Sequence, residues 1–226
     1  MKKMFKLLSI VLICVLTISM IGCSKKKGDS GSGEQTPKNA ELKAALEETS
    51  DDENSNYTMT INSTTVMSSY GISTTGTTVM KYSQGKCEIT TTTNYMGMQN
   101  VVTMYTETVT EGNAQKVYLY SNALGTWTKQ ESPADQVDSS GVNLDALNPE
   151  NFTFENGKYK ITNVTAFDGA EGKMVYDVVE ITIADGHINT MYISGTLTAD
   201  EMEMSMTMDC TFSNFGSTSV TLPVVE

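Results

Sequence analysis

The chain has 226 residues, with 15 Lys and no Arg against 27 Asp plus Glu, a single His, 4 Cys and a formal net charge of −12. Neutralising a phosphate backbone takes clustered Lys and Arg, so this balance excludes nucleic acid as a partner, and the missing guanidinium groups weaken any scheme that clamps phosphate or carboxylate substrates. The length allows one domain with a sizeable core, while the groups most catalysts need are too scarce to point to an enzyme or to a cofactor.

Lys2, Lys3 and Lys6 precede an apolar run from Leu7 to Ile21, which reads as a secretory signal over residues 1–22 and is too short for a spanning helix. The run ends in Met20-Ile21-Gly22-Cys23, which resembles the lipobox of bacterial lipoproteins. That resemblance makes Cys23 the site of a diacylglyceryl anchor, with ordinary secretory cleavage as the alternative where Met20 replaces the usual Leu. Two acyl chains hold a protein durably to a bilayer where one does not, so the expected location is the extracytoplasmic face of the bacterial cell membrane. Residues 23–38 then form the lipidated cysteine and a flexible Ser/Gly/Lys tether, with an r.m.s. span of about 20 Å. Lys25, Lys26 and Lys27 either touch anionic headgroups or are solvated spacer.

Residues 39–226 are expected to form a single domain, with 8 Lys against 25 acids, and such an excess is repelled by anionic surfaces. Ala40 to Glu48 consists of strong helix formers with Leu42, Ala45 and Leu46 at helical spacing, so a short amphipathic helix opens the domain. Thr49 to Asn56 is a polar, acidic loop in which Asp51, Asp52 and Glu53 are read as solvated, since no calcium-loop pattern follows.

From Tyr57 onward the texture is Thr-, Val-, Tyr- and Met-rich with period two, the mark of antiparallel β structure. Strands are expected at 57–67, 74–83, 86–95, 100–110, 115–121, 125–130, 158–164, 173–184, 187–196 and 202–213. Asn156-Gly157 and Asp185-Gly186 supply residues that tolerate positive φ in tight hairpins. The stretch from Glu131 to Asn151 has room for a short helix around Leu144 to Leu147 and is expected to cross the sheet face or its open end. Trp127 suits either core packing or the rim of a groove, and His187, beside a turn and without catalytic company, reads as a solvated turn residue.

After the signal and the anchor claim Cys14 and Cys23, only Cys87 and Cys210 remain, either bridged or as two buried thiols. Residues Glu201 to Phe212 alternate strictly, with Met202, Met204, Met206, Met208, Cys210 and Phe212 on one face. Thioethers favour soft ions such as Cu(I), but four on one strand spread over about 20 Å and fit the flexible apolar lining of a curved sheet better. No other metal-ligand spacing is present.

In order along the chain stand a lipobox cysteine with a polar tether, the helix at Ala40 to Glu48, a strand from Tyr57, a Val117 to Tyr120 strand and a Trp127 strand. The chain closes with Thr211-Phe212-Ser213-Asn214-Phe215-Gly216 and Val220-Thr221-Leu222-Pro223. This sequence of features resembles the LolA-like, LppX-type envelope lipoproteins. The resemblance implies an unclosed β-barrel around a helix, a hydrophobic concave face that accepts acyl chains, and no catalysis. Independently, about ten strands with one short helix must curl or leave an apolar concavity.

The expected fold is therefore mainly β, a curved antiparallel sheet forming an unclosed barrel with a short N-terminal helix packed in or across it. The expected function is binding or carriage of a hydrophobic or amphiphilic, lipid-like ligand by a monomer tied to the membrane. Candidate lining residues are Tyr57, Met59, Ile61, Ile89, Met104, Met202, Met204, Met206, Met208 and Phe212, some of them core under the helix. The rivals are a non-enzymatic surface module that contacts a protein or glycan through its Thr-rich outer faces, and a soft-metal carrier. The sequence names no protein partner.

Overall fold

A computed structural model describes residues 37–50, 54–111, 114–123, 125–132, 144–169, 172–199 and 202–225. The signal segment, Cys14, Cys23, the tether up to residue 36 and the acidic run Asp51-Asp52-Glu53 lie outside the described residues, as does most of the stretch between Glu131 and Leu144.

Helix α1 spans Pro37–Thr49. It begins earlier than the run of strong helix formers suggests, because proline is at home in a first turn whose N–H groups have no partner within the helix. Leu42, Ala45 and Leu46 form its buried stripe. The helix ends where the Thr49 hydroxyl donates back to the Ala45 carbonyl at 2.8 Å and the Ser50 N–H reaches the Leu46 carbonyl at 3.0 Å.

The rest is mainly β: β1 (Asn56–Met67), β2 (Ile72–Ser83), β3 (Lys86–Tyr95), β4 (Met98–Glu111), β5 (Ala114–Ala123), β6 (Thr126–Ser132), β7 (Thr153–Glu155), β8 (Lys158–Gly169), β9 (Gly172–Ala184), β10 (His187–Ala199) and β11 (Met202–Ser213). The expected tight turns have the expected backbone, with φ of 53° and 78° at Asn156-Gly157 and 55° and 83° at Asp185-Gly186. Gln84-Gly85 and Met96-Gly97 also place both turn residues at positive φ. Strand β7 is additional to the ten expected from alternation, being too short at three residues to show a period. Around Leu144 the chain makes a 3-10 turn, Leu144–Ala146, then another at Pro149–Asn151 where the Asn148 side chain accepts from the Glu150 N–H at 3.0 Å.

All pairings are antiparallel and form one sheet in the order β6-β5-β4-β3-β2-β1-β11-β10-β9-β8-β7. It consists of two meanders joined at the centre, where Met59 faces Phe212 and Ile61 faces Cys210 across β1 and β11. The outer strands β6 and β7 do not pair with each other, so the barrel is unclosed. Between β9 and β10 the register shifts at Ser194/Gly195. Gly195 is required there, because a Cβ would lie 2.6 Å from the Val175 carbonyl oxygen.

The inner face carries the core. Leu42, Ala45 and Leu46 belong to one buried cluster with Tyr57, Met59 and Ile61 of β1, Met80 and Tyr82 of β2, Ile181 of β9, Met191 and Ile193 of β10 and Met208, Cys210 and Phe212 of β11. Among the described residues no buried side-chain nitrogen or oxygen lacks a hydrogen-bond partner.

Candidate functional site

The alternation on β11 sorts its side chains as expected. Met204, Met206, Met208, Cys210 and Phe212 are buried, Met202 is half-buried, and Glu203, Ser205, Asp209 and Thr211 are exposed. Across the sheet Met208 faces Ile193, Met206 faces Gly195 and Met204 faces Leu197. Of the candidate lining residues, Tyr57, Met59, Ile61, Ile89, Met206, Met208 and Phe212 belong to the core cluster that includes the helix. Met204 is buried outside that cluster, and Met104 and Met202 are half-buried.

The attachment of α1 explains this division. Tyr57 donates from its hydroxyl to the Thr49 carbonyl at 3.0 Å, Tyr159 donates to Glu41 at 3.0 Å, and Glu48 meets His187 at 2.7 Å. Burial, then the Glu41 carboxylate, push the Tyr159 hydroxyl up to about 12, so it stays a donor at physiological pH. All three sheet partners lie near one end of the sheet, with the Gln84-Gly85, Asn156-Gly157 and Asp185-Gly186 turns; this is the helix end. Residues near the start (Glu41) and the end (Glu48, Thr49) of the helix all bind at this end, so the helix crosses the strands there, whereas a 12-residue strand runs on for about 40 Å. The methionines at the start of β11 thus extend toward the opposite end, roughly 26 Å from Phe212 to Met204 at strand rise.

His187 is not merely a solvated turn residue. Besides its contact with Glu48, its ring stacks on Phe215 with centroids 4.2 Å apart and planes 13° from parallel. It ties the helix, the start of β10 and the C-terminal segment together. Nothing in the sequence could reveal this, because the three partners are far apart along the chain.

Cys87 and Cys210 are buried and are not bridged to each other. Cys87 sits on β3 opposite Tyr82, which faces Tyr57, while Cys210 sits opposite Ile61. Three strand spacings, about 14 Å along the sheet, and a four-residue offset separate them, far beyond the 7 Å limit for a bridge. Burial, with a smaller effect of Asp209, pushes the Cys210 thiol up to about 12 and keeps it neutral. Its cross-strand neighbours are Ile61 and Met191. Among the described residues no three His, Cys, Asp or Glu side chains are grouped closely enough to hold a metal ion.

The outer face of β4 to β6 holds a network that the sequence did not single out. Lys129 lies over the Tyr118 ring at 4.0 Å and bonds Glu107 at 3.1 Å, and Tyr120 donates to the same carboxylate at 2.7 Å. Burial alone would raise the Glu107 carboxyl, but the hydrogen bonds from Tyr120 and Lys129 outweigh it and hold the group below its usual range. Trp127 packs edge-on against Tyr105 at 5.3 Å, on this face rather than in the core. The alternation of β5 gave the signal, since Tyr118 and Tyr120 share one face.

A cleft of about 510 Å³ opens beside β8, lined by Ala146, Asn151, Thr153 and the run from Lys160 to Val164. It shares no residue with the methionine face. Asn163, in its lining, has a φ of 57°. No family model matches the chain, and no curated protein matches it. Among the described residues no helix is long and apolar enough to cross a membrane.

Proposed function

We propose that the protein is a lipoprotein held at the extracytoplasmic face of the cell membrane through Cys23, and that it binds or carries an acyl-chain ligand along the inner face of its unclosed sheet, in the manner of the LolA-like envelope lipoproteins. One observation carries the reading: the apolar stripe of β11 continues through Met206, Met204 and Met202 toward the end away from the helix attachments. Methionine suits this role because its flexible thioether repacks around varied apolar shapes.

Among the described residues the buried side-chain polar atoms are already partnered, so recognition along this face rests on apolar area and shape. An acyl chain fits that requirement better than a polar small molecule. Replacing Met204 and Met206 with Asp is expected to abolish uptake of a fluorescent fatty acid, with the strand signal in circular dichroism retained. A lipid mass is expected among the material extracted by organic solvent from the purified chain. Unchanged fatty-acid uptake by the double variant would remove the methionine face as the site, and a clean unliganded mass would shift the reading to a surface interaction module.

A further inference from the structure

The turns of β1–β2 and β3–β4 lie at the end of the sheet opposite the helix attachments, because both hairpins run up from the Gln84-Gly85 turn. Thr64, Thr75, Asn94 and Gln99 stand level across these four strands. The two tips are therefore about 10 Å apart at sheet spacing. Among the described residues seven large apolar side chains are exposed, and four belong to this corner: Tyr70 at 51%, Met96 at 81%, Met98 at 68% and Val101 at 57%.

Charge singles out the same corner. The chain is 19% charged, yet no Asp, Glu, Lys or His occurs from Asn54 to Met80 or from Ile89 to Thr106. These runs contain β1, most of β2 and β3, the first half of β4 and both tips. The adjoining start of β11 carries Glu203, exposed, and the β8–β9 end carries the Asp168–Lys173 pair. In a molecule this acidic, the β1–β4 corner, whose own strands carry no carboxylate near the tips, can approach a phospholipid surface with only Glu203 of the adjoining strand at its margin among the described residues of β1 to β4 and β11.

Backbone cost supports a role for the side chain at the apex. Met96 holds the first turn position at φ 50°, where the other tight hairpins place Gln84, Asn156 and Asp185. Such turns favour Asn, Asp or Gly, and a long unbranched apolar residue held there at 81% exposure gains no packing in return. An apolar apex at Met96-Gly97-Met98, with Tyr70 exposed on the neighbouring Ser68-Ser69-Tyr70-Gly71 turn, matches the zone between headgroups and acyl chains.

We propose that the tips of the β1–β2 and β3–β4 hairpins insert into the interfacial layer of a lipid bilayer, a contact separate from the Cys23 anchor and from any ligand on the inner face. Two narrow projections with hydroxyl-rich sides fit a fluid surface better than the continuous apolar patch a protein partner would need.

The test uses the full chain in phosphatidylcholine vesicles with brominated acyl chains, so that any leader or anchor is common to all variants. Trp127 is the only tryptophan, and W127F gives a silent background for single reporters. The Y70W reporter is expected to shift blue and lose most of its emission. F154W, exposed at the helix end, is expected to do neither. Adding M96N and M98T to the Y70W chain keeps the turn and is expected to restore the emission. No quenching of Y70W, equal quenching of both reporters, or quenching that survives M96N/M98T would overturn the proposal. Lipid extracted from the same preparation reports on the inner-face ligand separately, so either reading can fail alone.

Discussion

Glu180 shows how single side chains hold the outer surface of the second meander. It accepts from Lys158 at 2.8 Å and Lys160 at 3.2 Å, and these two hydrogen bonds keep its carboxyl below the usual range. All three groups are partly exposed, and water screens such pairs to about 0.2–1 kcal/mol each. A depressed folded-state pKa stabilises fully above the unfolded value, and the contribution is lost as pH falls through the folded one. Glu180→Gln is therefore expected to cost about 1 kcal/mol at pH 7, with the gap closing below the ordinary carboxylate range. Urea titrations of both proteins at pH 7 and pH 3 measure this, and a gap equal at the two pH values would assign the loss to packing. The two lysines are visible in the sequence, but their shared carboxylate is 22 and 20 residues away, and only the register of β8 against β9 brings them together.

At the scale of elements, legibility followed the range of the forces involved. The β11 alternation and the Asn-Gly and Asp-Gly turns were readable because period and positive φ are properties of neighbouring residues. Met96-Gly97 was not readable as a tight turn, since methionine is foreign to that position, and β7 was too short to carry a period. The fate of Cys87 and Cys210 depended on which strands lie between them, a non-local property. The proposed site was legible to the same degree: the apolar methionine face could be read from alternation, but which of its members the helix would cover could not. Helix α1 is held mainly by apolar burial, with Leu42 at the centre of its stripe. Leu42→Ala is expected to cost about 2–5 kcal/mol, measured by chemical denaturation. If the helix only covers one end of the proposed ligand face, fatty-acid uptake should persist under native conditions; loss of uptake in a folded variant would make the helix part of the proposed site.

At the scale of the whole molecule, the sheet is organised around the pairing of β1 with β11, while its edges β6 and β7 share no ladder among the described residues. A cut between residues 133 and 143 severs no ladder among the described strands. The fragments 1–132 and 144–226 are expected to associate and regain the strand signal when mixed, as read by size-exclusion chromatography and circular dichroism. Failure to associate would show that the connecting chain supplies structure of its own. The central pairing also sets a timetable for synthesis. Strand β1 is the earliest to leave the ribosome and β11 the last, so the inner face of the first meander waits for its neighbour until residue 213 has emerged. Every other ladder joins strands that are consecutive in the chain, so hairpins can close as they emerge, and β1 alone must keep an open edge until the last strand arrives.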